Sequence, residues 1–115
     1  MKFTIPRSTL QIGINAVQNT VPTRSTLPVL SNIMVEAQED RIKLSATDLE
    51  VSISSSIGAE VAENGTITIP AKKFADIVRE LPEAEVSLQT EDEKMHINCE
   101  RASFTFIGLS ADEFP

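Results

Sequence analysis

An internal repeat constrains the fold of this chain more than any other feature of its sequence. The segment Phe3–Pro6 (FTIP) recurs 64 positions later as Ile67–Pro70 (ITIP). Apolar residues follow each copy at the same helical spacing and superpose without a gap: Leu10, Ile14 and Val17 after the first, Phe74, Val78 and Leu81 after the second. Each copy therefore predicts a short strand, a proline and then an amphipathic helix.

The two helices are each followed by three runs with the alternation of strands. The first helix is predicted over Arg7–Gln18, and the second ends at Pro82, since proline cannot continue a helix. The predicted strands are Asn32–Ala37, Arg41–Ala46 and Glu50–Ile57 after the first helix, and Glu85–Thr90, Lys94–Cys99 and Ala102–Leu109 after the second.

The order of elements is therefore βαβββ, repeated in residues 1–64 and 65–115. We expect one α+β domain with approximate two-fold symmetry, in which both helices cover one face of the sheet. A polar stretch at 19–28 (NTVPTRSTLP) has no counterpart in the second half. An irregular insertion in a repeated scaffold is a common position for function.

The composition limits the class of protein. The chain has 115 residues, of which 41% are hydrophobic, as in one globular domain. It has no apolar run near the ~20 residues of a membrane span and no apolar N-terminal signal segment. A single cysteine, Cys99, allows no internal disulfide. These features predict a cytoplasmic protein with no membrane partner.

The charge is unevenly distributed along the chain. Residues 1–35 contain three basic residues and no acidic one, whereas residues 36–115 contain seven basic and 17 acidic residues. Either one face of the domain is suited to anions, or the division arises by chance.

Few side chains are candidates for catalysis or metal binding. Asp48 and Glu50 have the spacing of an acid–base pair, but a turn before a strand explains them equally well. The acidic run Glu91–Glu93 lacks the spacing of a calcium loop. His96 is predicted at the surface and Cys99 in the core. The residues thus favour a binding scaffold that has no catalytic residue, metal or cofactor.

The last predicted strand, Ala102–Leu109, has apolar groups on both faces. Phe104 and Phe106 share one face, while Thr105 and Ile107 share the other. Such a strand is prone to aggregation unless another element covers it, so it either completes the core or forms an interface between subunits.

Several sequence blocks, in the same order and spacing, resemble the N-terminal domain of the beta subunit of bacterial DNA polymerase III, the sliding clamp family. The resemblance extends from Met1 to Pro115. The blocks are Met1–Thr4, Arg24–Leu30 with Asn32, Thr47–Glu50, Pro70–Phe74 with Leu81 and Pro82, and Phe114 with Pro115.

This resemblance implies a DNA-clamp domain with two βαβββ repeats, helices that line a central hole and sheets outside. Clamp chains carry three such domains and pair head to tail into a ring around duplex DNA. The ring is a non-catalytic processivity factor, because it tethers the polymerase by raising its effective concentration. Its contacts with phosphates are expected to be independent of sequence.

The resemblance also implies roles for individual residues. Arg24 and Lys72 match basic residues of the family that contact DNA. The last strand matches the edge that pairs with the third domain of a second subunit. The residues implied at that interface are Lys73, Lys94, Arg101, Phe104 and Phe106. Ser103 departs from the basic residue that some members carry there, which leaves the number of ion pairs open.

The chain ends where the linker to a second clamp domain would begin. We therefore expect residues 1–115 to be the first of three domains, with the polymerase and clamp-loader contacts on the other two. Two alternatives stay open at this point. One is an acidic interaction module that binds a protein through the last strand, and the other is a small hydrolase that uses Asp48 and Glu50.

Overall fold

The computed structural model describes residues 1–23 and 27–115. In these ranges the chain forms two α-helices, nine strands and three short 3₁₀ turns. The helices are α1 (Arg7–Val17) and α2 (Ala71–Glu80). The strands are β1 (Lys2–Pro6), β2 (Asn32–Gln38), β3 (Arg41–Thr47), β4 (Ser52–Gly58), β5 (Glu60–Glu63), β6 (Gly65–Pro70), β7 (Glu85–Glu91), β8 (Lys94–Cys99) and β9 (Ala102–Ile107). The 3₁₀ turns are Gln18–Thr20, Pro28–Ser31 and Ala111–Glu113.

The strands form two antiparallel sheets. The five-stranded sheet has the order β5-β1-β7-β8-β9, and the four-stranded sheet has the order β4-β3-β2-β6. The first strand of each repeat pairs with the other repeat: β1 lies beside β7, and β6 lies beside β2. This exchange joins the two halves into one domain and confirms the predicted α+β fold of two related βαβββ units.

The helices lie antiparallel over the inner face of the four-stranded sheet. Helix α1 packs against β3 and β4, and α2 packs against β2 and β6. The buried residues of α1 are Leu10, Gly13, Ile14 and Val17, and those of α2 are Ala71, Phe74, Ala75 and Val78. A Cβ on Gly13 would lie 2.7 Å from Cδ1 of Ile57 and 3.0 Å from Cδ1 of Leu44, so glycine allows α1 to approach the sheet closely.

The structure differs from the sequence prediction mainly at the ends of elements. Helix α1 ends at Val17 rather than Gln18, and the prolines Pro6 and Pro70 precede the helices as their N-cap residues. Strand β9 ends at Ile107, two residues early. Strand β5 was not predicted, because its sequence, EVAE, is short and charged and has one inward-facing side chain, Val61.

Strand β4 begins at Ser52, two residues later than predicted, because a tight turn occupies the residues before it. The Oδ1 atom of Asp48 accepts hydrogen bonds from the backbone N–H groups of Glu50 (2.9 Å) and Val51 (2.8 Å). The hydroxyl of Thr47 accepts a further one from Leu49, whose φ is 80°. These bonds satisfy backbone groups that a strand would otherwise pair.

Candidate nucleic-acid interface and subunit edge

Lys72 is in the first turn of α2, where its side chain is exposed. Among the residues that the structure describes, no carboxylate pairs with it. Helix α2 also has no acidic residue in its first turn. Because the N-terminus of a helix carries a partial positive charge, a lysine here is unfavourable for the fold. A surface residue that is unfavourable for its own helix is typical of a binding site.

The outer face of α1 presents no charge. Its exposed residues are Ser8, Ile12, Asn15 and Ala16, and Ile12 is 67% exposed. Neither this face nor the first turn of α2 carries a carboxylate, so a polyanion meets no fixed negative charge there. The side of α1 and the start of α2 are therefore compatible with a phosphate backbone.

Arg7 belongs to the basic N-terminal segment, but the structure assigns it to the fold. Its side chain is 17% exposed. The guanidinium donates hydrogen bonds to the backbone carbonyls of Leu81 (3.2 Å) and Arg79 (3.2 Å) at the end of α2. It also donates to Gln11 (2.6 Å) and forms an ion pair with Glu83 (2.8 Å). Arg7 is thus not free to bind an anion.

A hollow of about 460 Å³ lies between the end of α1 and the start of α2. It is lined by Gln18, Asn19, Val21, Pro22, Thr23, Ser31, Ala71 and Lys72. Thr23 is the last described residue before Arg24, which lies outside the described residues. The structure therefore brings the start of the polar insertion beside Lys72 and says nothing of Arg24 itself.

Strand β9 is the outermost strand of the five-stranded sheet, and within the described residues it pairs with β8 alone. Its two phenylalanines differ in burial. Phe104 is half-buried, whereas Phe106 is buried in the core, where its ring meets that of Phe74 edge-on at 6.0 Å between centroids. On the opposite face of the strand, Ile107 is 74% exposed. Phe106 thus contributes to the core of this chain, and its contact with a second subunit stays a prediction.

Two exposed basic residues lie at this edge, Lys94 on β8 and Arg101 directly before β9, whereas Lys73 is in the first turn of α2. Lys73, Lys94 and Arg101 are all exposed, and none pairs with a carboxylate among the described residues. Lys94 is opposite Ile107 in the β8–β9 register, and Ser103 is exposed opposite Asn98. Ile107 was not predicted as a site residue. Its apolar side chain at an outward position of an edge strand was the signal available.

The side chains considered for catalysis lie in a turn, at the surface or in the core. Asp48 and Glu50 are both exposed, and backbone N–H groups of Val51 and Glu50 hold the pKa of Asp48 below its ordinary value. His96 lies at the surface, within hydrogen-bond distance of the Thr105 hydroxyl (3.0 Å). Cys99 is buried, as predicted, and burial raises the pKa of its thiol. Asp92 and Glu93 form the exposed turn of the β7–β8 hairpin, and Glu91 is the last residue of β7.

Within residues 1–23 and 27–115, no three His, Cys, Asp or Glu side chains are grouped as metal ligands would be. In the same ranges, neither helix is long and apolar enough to cross a membrane.

Comparison with known proteins identifies the class to which this fold and surface belong. The profile of the DNA polymerase III beta subunit N-terminal domain matches residues 1–115. The chain is 38% identical to the beta sliding clamp of Vibrio cholerae and 41% identical to that of Caulobacter vibrioides, in each case over all of this chain and 32% of the relative. The solved structure of Caulobacter crescentus pol III beta superposes with a TM-score of 0.96 at 41% identity, over all of this chain and 31% of that one.

The chain therefore belongs to the family of DNA polymerase III beta subunits, and it corresponds to their N-terminal domain. It spans about a third of the length of the relatives that it matches.

Proposed function

We propose that residues 1–115 act as the first of three domains of a ring-shaped clamp subunit. In this proposal two subunits pair head to tail around duplex DNA, and the ring tethers the replicative polymerase while it slides. The activity is one of processivity, without catalysis or a cofactor, in the cytoplasm. The polymerase and the clamp loader would bind to the other two domains.

The observation that carries the proposal is Lys72, an exposed cation without a carboxylate partner at the start of α2. An isolated lysine supplies charge without the planar geometry that reads a base edge, so it favours contact with phosphates. The uncharged outer face of α1 lies beside α2, whose acidic residues Asp76 and Glu80 come after its first turn. A surface of this kind holds a duplex weakly and lets it slide.

The sheet edges support the proposal of a ring. Strands β4 and β9 are each the third strand after a helix, and each is an outer strand of its sheet. An outer strand offers unpaired backbone groups to a further strand. Because the repeat relates the two edges, the domain can join one neighbour on each side, as a member of a closed ring must.

Charge reversal at Lys72 tests the DNA contact. The full-length subunit carrying Lys72→Glu is titrated with two unrelated duplexes by fluorescence anisotropy, at several salt concentrations. We expect weaker binding to both duplexes and a loss of about one unit in the slope of log K against log salt. The matched control is Lys43→Glu, because Lys43 is an exposed lysine on the face of β3 opposite to the buried Ile42 and Leu44.

Three outcomes would contradict the proposal. Affinity that does not change in Lys72→Glu would exclude this lysine as a DNA contact. An equal loss in Lys43→Glu would show that only net charge matters. Binding that depends on sequence but not on salt would exclude a sliding contact. An interaction module that binds a protein through β9 would give the first of these results.

A further inference from the structure

A buried chain of hydrogen bonds holds the residues that follow β9 against the other sheet. Thr68, in the middle of β6, exchanges backbone hydrogen bonds with Leu109 in both directions (3.0 and 2.9 Å). Its hydroxyl donates to the carbonyl of Leu109 at 2.9 Å and accepts from the side-chain amide of Asn32 at 3.1 Å. Thr68 is fully buried and Asn32 is nearly so.

Gly108 lies between the end of β9 and Leu109, and it is held on two sides. The backbone N–H of Gly108 donates to the carbonyl of Glu93 at 2.7 Å. A Cβ on Gly108 would lie 2.4 Å from the carbonyl oxygen of Thr68, so only glycine allows this approach. Gly108 directly follows Ile107, the exposed apolar residue of the edge. The position of Ile107 is thus fixed from the four-stranded sheet, although β9 belongs to the five-stranded one.

We propose that Thr68, oriented by Asn32, is a positioning residue that fixes the β9 edge for pairing with a second subunit. This inference rests on the proposed function, since it assumes that β9 is a subunit edge. An outer strand has a partner on one side only, and its last residues lose order most readily. Fixing that end in advance removes part of the ordering cost that assembly would otherwise meet.

The hydrogen bonds of Thr68 with Leu109 and Asn32 fit a role in positioning. The main-chain hydrogen bonds between Thr68 and Leu109 already join the two segments. The hydroxyl adds a further directional hydrogen bond, which restricts the orientation of Leu109. The Thr68 hydroxyl uses both its donor and its acceptor capacity in the interior, and without it the buried side-chain amide of Asn32 would lose this acceptor. A valine at position 68 would fill the same space but make no side-chain hydrogen bond.

The test compares Thr68→Val with Thr68→Ser in the full-length subunit. The dissociation constant for subunit pairing is measured by analytical ultracentrifugation over a dilution series. We expect Thr68→Val to weaken pairing at least tenfold and Thr68→Ser, which keeps the hydroxyl, to pair as the parent does. Ile42→Val is the control, because Ile42 is a buried residue of the central strand β3 and its truncation lowers stability without reaching β9.

Asn32→Ala removes the hydrogen bond from the Asn32 amide to the Thr68 hydroxyl, and it replaces Thr68→Val in the test if that variant does not fold. Pairing at the parental strength in Thr68→Val or Asn32→Ala would overturn the inference, as would an equal loss in Ile42→Val. Ile107→Lys tests the proposed edge itself. If Ile107→Lys pairs normally, the edge assignment is wrong and the inference is wrong with it. If only Ile107→Lys weakens pairing, the edge stands and the role of Thr68 is rejected.

Discussion

The Nε of Arg7 donates a hydrogen bond to the backbone carbonyl of Leu81 at 3.2 Å, which joins the start of α1 to the end of α2. The last carbonyls of a helix have no partner within the helix, and here a guanidinium from the other repeat supplies one. The same contact places a positive charge at the negative end of the α2 dipole. Arg7 therefore fixes one end of the antiparallel helix pair, opposite to the end that carries Lys72.

Replacing Arg7 tests this contact. Arg7→Met keeps most of the apolar stem but leaves the carbonyls of Arg79 and Leu81 without their donor. We expect the free energy of unfolding, measured by urea titration, to fall by about 1–3 kcal/mol. Arg41→Met is the matched control, since Arg41 is exposed and its side chain bonds, among the described residues, only to the hydroxyl of Ser56. Its effect should stay within about 0.5 kcal/mol. Equal losses in the two variants would show that Arg7 has no special role at the helix end.

Lys72 opposes the stability of the helix in which it lies. Its charge is at the positive end of the α2 dipole, and the first turn contains no acid that would offset it. We expect Lys72→Glu to raise the free energy of unfolding by about 0.3–1 kcal/mol at low salt. The value for Lys72→Gln should lie between those of the parent and Lys72→Glu. The gain should shrink as salt is added. A less stable Lys72→Glu variant would mean that the lysine supports the fold and is not kept only for binding.

The repeat, both helices and most strands were predictable, because apolar spacing and proline positions are local features of the sequence. The burial of Thr68 was not, since alternation in β6 places it on the outer face. There it meets Leu109, 41 residues further along the chain, which accepts a hydrogen bond from its hydroxyl. For the same reason the basic N-terminal segment did not reveal that Arg7 is engaged by α2. Lys72 was assigned to DNA through the family resemblance, and the structure adds its lack of a carboxylate partner.

Two glycines with different surroundings give a further prediction. A Cβ on Gly108 would meet the backbone oxygen of Thr68, whereas a Cβ on Gly58 would meet nothing within 4 Å. Because a backbone atom cannot rotate away as a side chain can, Gly108→Ala should lower the free energy of unfolding by about 1–3 kcal/mol. Gly58→Ala should change it by no more than about 0.5 kcal/mol. Thermal or urea unfolding of the two variants would measure both values, and a stable Gly108→Ala variant would contradict the described packing.

The turn at Asp48 makes part of the stability dependent on pH. Hydrogen bonds from the N–H groups of Val51 and Glu50 lower the pKa of Asp48 in the folded state relative to the unfolded chain. The folded state therefore binds fewer protons at this site, and the contribution is fully present above the unfolded pKa of ~3.9. It is lost as pH falls through the lowered, folded pKa.

Urea unfolding of the parent and of Asp48→Asn between neutral pH and about pH 3 measures this contribution. An asparagine oxygen accepts the same backbone hydrogen bonds but does not titrate, so the variant should lose less stability in acid than the parent. Glu50→Gln is the matched control, because Glu50 is also exposed and its side chain makes no hydrogen bond with the described residues. Its acid profile should follow that of the parent. Identical acid profiles for the parent and Asp48→Asn would show that the carboxylate does not stabilise the turn.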